Sequence, residues 1–178
     1  MSIETMIEAT IGKEGGYVDH PADRGGPTRW GITQRVARAN GYNGEMRGLP
    51  RERAVAIYRQ EYAVKPGFAA IAEIYPRLAE ELFDTGVNMG PSRPSIWLQE
   101  WLNALNNGGK HYSDIAEDGD IGPGTLAALR AYKARRGAEG EERLLQALNG
   151  DQAVRYKQIA RGNPSQEAFV YGWLGRAA

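Results

Sequence analysis

Apolar residues recur every three to four positions along nearly the whole of this chain. A glycine-rich interruption covers residues 15–31, which also hold Pro21 and Pro27, and a long polar loop covers residues 106–122. This spacing limits the fold to packed helices with little sheet. Ile3, Met6, Ile7 and Ile11 form the first stripe, with Ser2 placed as N-cap and Gly12 near the stop. Thr33 is placed to cap a second helix that ends at Asn40-Gly41. Pro50 suits the first turn of a third, where Ala54, Val55, Tyr58 and Tyr62 share a side. Lys65-Pro66-Gly67 ends it. Pro76 opens a helix carrying Leu78, Ala79, Leu82, Phe83 and Val87, and Asn88-Met89-Gly90-Pro91 breaks the chain. Further helices are expected over residues 96–105, 123–132 and 141–161, and around Phe169 and Trp173. The expectation is a mainly α fold in two lobes, 1–90 and 91–178, with any strand or hairpin confined to residues 15–33.

Charge removes several classes of function. The 178 residues carry 22 basic and 22 acidic side chains. Divided at Gly90, the first part has 11 against 12 and the second 11 against 10. Neither has the basic excess of a dedicated nucleic-acid binder. No apolar run approaches the roughly 20 residues of a membrane-spanning helix, so no stable membrane association is expected. The first five residues lack a basic segment followed by an apolar core, so synthesis in the cytoplasm without a secretory signal is expected. The chain has no cysteine, and His20 and His111 are its only histidines. Thiolate metal sites are excluded, His-Glu-x-x-His is absent, and neither metal nor cofactor is expected.

The glycine-rich interruption carries the chemistry. Glu14-Gly15-Gly16-Tyr17 comes first, then Asp23, then Gly25-Gly26-Pro27-Thr28 and Gly31-Ile32-Thr33. Glu14 falls just past the first helix, where backbone carbonyls concentrate negative charge and raise a carboxyl pKa. A raised pKa suits a general acid near neutral pH. The flanking glycines leave room for a bulky polymer or for positive φ. Asp23 precedes a glycine pair, in a turn that can leave a carboxylate at a groove edge. Singly, each residue has an ordinary structural explanation: a solvated Glu, an Asp turn, a Thr cap. Two carboxylates across a groove are nonetheless the minimal equipment for cleaving a glycosidic bond. Asp19 is the rival second acid, and His20 is read as a surface residue.

The string from Glu14 to Thr33 resembles the signature of glycoside hydrolase family 108, N-acetylmuramidases found among phage endolysins and bacterial secretion-assisting muramidases. The order Glu, Asp, Thr also resembles the catalytic triad of phage-type lysozymes, with the Asp-to-Thr gap one residue shorter. The resemblance implies a lysozyme-like, α-rich first lobe with a small β element. It implies that Glu14 protonates the glycosidic oxygen, and that Asp23 orients or activates water with help from Thr28. The bond would be the β-1,4 link between N-acetylmuramic acid and N-acetylglucosamine. A carboxyl gap of roughly 6.5–9.5 Å would mean inversion, and about 5–5.5 Å retention; the phage-type analogy points to inversion. Tyr17 and Trp30 could flank the sugar chain or pack in the core. Asp84 and Asn88, one helical turn apart, could close the groove's far side. The implied partner is the peptidoglycan glycan strand, reached in the periplasm or cell wall through a holin-like pore, lysis or a secretion system. A wall-binding module without catalysis, and a lytic transglycosylase or chitinase-like glycosidase, are the alternatives.

The second lobe has its own pattern. Phe83-Asp84-x-x-Val87-Asn88-x-Gly90, Leu98-Gln99, Asp118-Gly119-Asp120-Ile121-Gly122-Pro123-x-Thr125-Leu126 and Phe169-x-x-Gly172-Trp173-Leu174-x-Arg176 resemble the predicted peptidoglycan-binding module that accompanies this family. The same residues also read as turn, helix start and core. Asp114, Glu117, Asp118 and Asp120 do not match a calcium-binding loop and are read as solvated. Arg130, Lys133, Arg135 and Arg136 are read as a solvated basic helix face.

Overall fold

The computed structural model describes residues 3–13, 16–19 and 26–175. Among them the fold is mainly α, with eight α-helices and one small sheet. The chain divides into two compact units, Met1–Lys65 and Pro66–Ala178.

In the first unit, α1 (Ile3–Lys13) buries Ile7 and Ile11 completely, as the helical spacing requires. Strands β1 (Tyr17–Val18), β2 (Thr28–Arg29) and β3 (Ile32–Thr33) form an antiparallel sheet with β2 in the middle. Tyr17 faces Arg29 and Val18 faces Thr28, while Thr28 faces Thr33 and Arg29 faces Ile32. Every strand lies within residues 15–33, where the sequence confines them. Helix α2 (Gln34–Ala39) starts as expected, with Thr33 Oγ1 accepting from the Val36 N–H at 3.4 Å. Asn40 closes it and Gly41 turns away at φ 79°.

A 3₁₀ turn (Met46–Gly48) packs on β2. Helix α3 (Arg51–Tyr58) follows, with Pro50 at the N-cap, one position before the expected first turn. Sequence spacing does not show what comes next. Residues Arg59–Val64 are π-helical, and the Lys65 N–H reaches back five residues to the Gln60 carbonyl. The wider turn breaks the expected stripe: Ala54 and Tyr58 are buried, but Tyr62 is only half-buried. Glu8–Arg51 and Glu4–Arg59 ion pairs tie α1 to α3 and to the π-helical turn, and their exposure makes each of them weak.

The second unit begins with α4 (Phe68–Ala72), a five-residue helix too short for periodicity to reveal. Gly67, at φ 82°, precedes it, and a Cβ there would lie 2.8 Å from both Ile121 Cβ and the Ile121 carbonyl. Helix α5 (Pro76–Met89) has Pro76 in its first turn and ends at Gly90 with φ 85°. Helix α6 (Ser92–Ala104) and helix α7 (Pro123–Gly162) pack on it and on each other. Gly137, at φ 58° and ψ −145°, breaks α7 between the two helical stretches expected there. Helix α8 (Glu167–Leu174) packs on α7. The core joins Phe68, Ile71, Leu78, Leu82, Leu98, Leu129 and Leu144, none exposing any surface.

The Asp118–Thr125 motif is built around Gln99, which is 1% exposed. Gln99 Nε2 donates to Asp118 Oδ1 at 3.0 Å, the Asp120 carbonyl at 2.9 Å and Thr125 Oγ1 at 3.2 Å. Its Oε1 accepts from the Gly119 N–H at 2.8 Å. The side chain uses both ends of its amide to hold the loop that precedes α7. Asp118 also accepts from the Asp120 N–H, and these two bonds pull its carboxyl below the usual range.

Candidate active site

The small sheet positions the described part of the expected site. Thr28 sits on the central strand, paired on both sides. Its hydroxyl donates to the Gly26 carbonyl at 3.3 Å, which leaves the oxygen lone pairs able to accept from a further donor. Glu14, Asp23 and His20 lie outside the described residues.

Trp30 and Gly31 form the two-residue turn between β2 and β3, at φ 56° and 73°. Positive φ at both central positions is what a type I′ hairpin turn requires. Glycine adopts it freely; tryptophan does so at a cost of about 1–3 kcal/mol. The indole Nε1–H donates to the Leu49 carbonyl at 2.9 Å, and the Arg29 guanidinium lies 5.2 Å from the ring centre. The ring is thus fixed at one edge while remaining half-buried.

Tyr17 is half-buried rather than part of a closed core. The Arg47 guanidinium sits 4.2 Å from its ring centre and covers one face. Its hydroxyl donates to Asp19 Oδ2 at 3.1 Å, and Asp19 is exposed. Sequence reasoning missed Arg47, because nothing in local spacing links it to a tyrosine thirty residues earlier.

Asp84 and Asn88 lie on α5 in the second unit and bond each other. Asn88 Nδ2 donates to the Asp84 carbonyl at 2.8 Å and to Asp84 Oδ2 at 3.2 Å. Asp84 lines a polar groove of about 460 Å³ with Glu80, Glu81, Glu142, Gln146 and Asn149. Burial raises the Glu81 carboxyl pKa; the Thr85 hydroxyl, donating at 2.9 Å, opposes this, and the Asp84 charge adds to it.

Residues 7–90 match the family described as glycosyl hydrolase 108. Over these residues the chain is similar to that family. Residues 93–178 match the family described as "Predicted Peptidoglycan domain". The chain therefore pairs a glycoside hydrolase with a peptidoglycan domain, which supports peptidoglycan as the substrate and the cell wall as the place of action. No curated protein matches the chain in sequence. Among solved structures, it is similar to that of Brucella abortus SagA, at 25% identity and a TM-score of 0.67 over 97% of this chain and 91% of that one. The break between the two matches, at residues 90–93, falls inside the second compact unit, at the α5–α6 turn. Helix α5 of the glycosyl hydrolase 108 match packs with α4, α6 and α7, so the spatial division comes earlier than the sequence break. Among the described residues no helix is long and apolar enough to cross a membrane.

Proposed function

We propose that the chain is an N-acetylmuramidase that cleaves the β-1,4 bond between N-acetylmuramic acid and N-acetylglucosamine. Glu14 gives its proton to the glycosidic oxygen as the bond to the anomeric carbon breaks. Positive charge develops at that carbon and its ring oxygen. Asp23 stabilises this charge and takes a proton from the water whose oxygen closes the new bond. The Thr28 hydroxyl accepts from the same water and aims it. Tyr17 and Trp30 offer their open ring faces to the strand, and Asp84 and Asn88 bond its hydroxyl groups.

One observation carries the reading: Glu14, Asp23 and Thr28 stand in this order inside the segment matched by a glycosyl hydrolase family. The sheet adds support, because Thr28 is anchored on its central strand.

Clearing of purified sacculi provides the test. Glu14→Gln should clear at least about a hundredfold more slowly than the unsubstituted chain, the low end for losing a general acid. Clearing at the unchanged rate would refute the role of Glu14. The products should be reducing ends carrying N-acetylmuramic acid. Anhydro-muramyl ends would make the enzyme a lytic transglycosylase, and release of chitin fragments alone would move it to the chitinase-like class. Asp23→Asn should also cause a large loss; a greater loss in Asp19→Asn would reassign the second acid.

A further inference from the structure

Helix α6 has two dissimilar faces. Pro94, Ser95, Leu98, Gln99 and Leu102 are buried. Arg93, Ile96, Trp97 and Glu100 recur at i, i+3, i+4 and i+7, which puts them on one stripe. Ile96 and Trp97 remain half-exposed, and Arg93 and Glu100 are exposed. With Met89 and Ser92 they line an open groove of about 360 Å³. This is the small end of the roughly 300–1,000 Å³ range of ligand pockets and suits a single sugar unit.

The groove's polar groups are uncommitted. Among the described residues, the Arg93 guanidinium has no ion-pair partner and the Trp97 indole N–H has no acceptor. Trp101, one turn further on, differs: its Nε1–H donates to Asp151 Oδ2 at 2.6 Å. The contrast with a larger cavity is sharper. That cavity, about 640 Å³, lies beside Gly137 and has Tyr75, Lys133 and Glu141 in its walls. Tyr75 donates to the Gly137 carbonyl, Lys133 to the Ile74 carbonyl, and Glu141 accepts from the Arg77 and Leu78 N–H groups. These three side chains hold the fold. Those of the α6 groove face outward.

An indole packs against the C–H face of a pyranose, a carboxylate accepts from hydroxyl and amide N–H groups, and a guanidinium pairs with a carboxylate. Of the two sugars of the wall, only the muramyl unit has a lactyl carboxyl group, which is a free carboxylate wherever no stem peptide is attached to it. We propose that the α6 groove is a subsite for muramyl units that carry no stem peptide: Trp97 stacks on one N-acetylmuramic acid ring, Arg93 pairs with its free lactyl carboxylate, and Glu100 accepts from its hydroxyl or amide groups. The proposal rests on the reading of peptidoglycan as substrate and adds the sugar and the residues that distinguish it.

Binding of two soluble probes to the full chain tests it. The disaccharide of N-acetylglucosamine and N-acetylmuramic acid carries the carboxylate; N,N′-diacetylchitobiose does not. Arg93→Ala should weaken the first about tenfold and leave the second unchanged, while Trp97→Ala weakens both at least tenfold. Trp97→Phe should recover most of that loss by restoring a ring. Unchanged binding in Trp97→Ala would overturn the proposal, as would equal losses for both probes in Arg93→Ala. Arg93 is exposed, so its variant keeps the test open should Trp97→Ala fail to fold. Sacculus clearing is read in parallel. Clearing with no Trp97 dependence of binding overturns the subsite and leaves the hydrolase reading standing. Arg93-dependent binding without clearing does the reverse.

Discussion

The small sheet of the first unit and the Gln99 loop of the second both hold polar residues in place, but by different means. The sheet has two residues per strand, four half-buried side chains beside a buried Ile32 and an exposed Val18, and a tryptophan held at positive φ. The Gln99 loop is fixed by an amide that is 1% exposed, whose four bonds reach residues 19 to 26 positions away. Local bonds in a shallow sheet open cheaply; a buried, fully bonded amide opens only when the core does. The proposed cleavage site gains from the first arrangement, because a glycan strand must enter and leave. A scaffold gains from the second.

Substitutions can break this contrast. The largest stability loss should come from Leu82→Ala in the core of the second unit, about 2–5 kcal/mol by denaturant unfolding. A loss below 1 kcal/mol would mean that the core is loosely packed. Gln99→Leu should cost about 1–3 kcal/mol, because the Gly119 N–H loses its acceptor while Asp118 and the Asp120 carbonyl each lose one donor. Thr33→Ala removes one helix cap and should cost about 1 kcal/mol. Hydrogen exchange should show that loss confined to residues 28–39; a spread into α5 would erase the distinction.

The smallest effect sharpens the contrast from the acid side. Burial raises the Glu81 carboxyl pKa in the folded chain, so the charged form disfavours folding above the folded-state pKa and protonation relieves this as pH falls. Glu81→Gln keeps an acceptor for Thr85 and should raise the thermal midpoint at pH 7, with the gain shrinking toward pH 4. A gain that grows on acidification would reverse the sign.

Much of this was legible in sequence because punctuation is local. Thr33, Pro76, Gly90 and the glycine-rich stretch each act within a few residues of themselves, and each marks a boundary in the structure. The π-helical turn was not legible, since Arg59–Val64 keeps an ordinary helical composition while its hydrogen bonds shift by one residue. Helix α4, at five residues, spans too few turns for a repeat to show. The Asp118–Thr125 motif was visible as a pattern, but its dependence on Gln99 is a three-dimensional fact. For the candidate site, the sequence supplied order and residue type. The structure added the strand under Thr28, the anchor of Trp30 and the cover of Arg47, all set by contacts that short spacings do not encode.

The break in α7 has a consequence for handedness. The angles of Gly137, φ 58° and ψ −145°, are the mirror image of extended polyproline geometry, and a Cβ built there meets no atom within 4 Å. Only chirality, not room, therefore reserves this place for glycine. A D-alanine introduced by chemical ligation should fit as comfortably as its enantiomer fits a polyproline segment, and should stabilise the chain by stiffening its unfolded form.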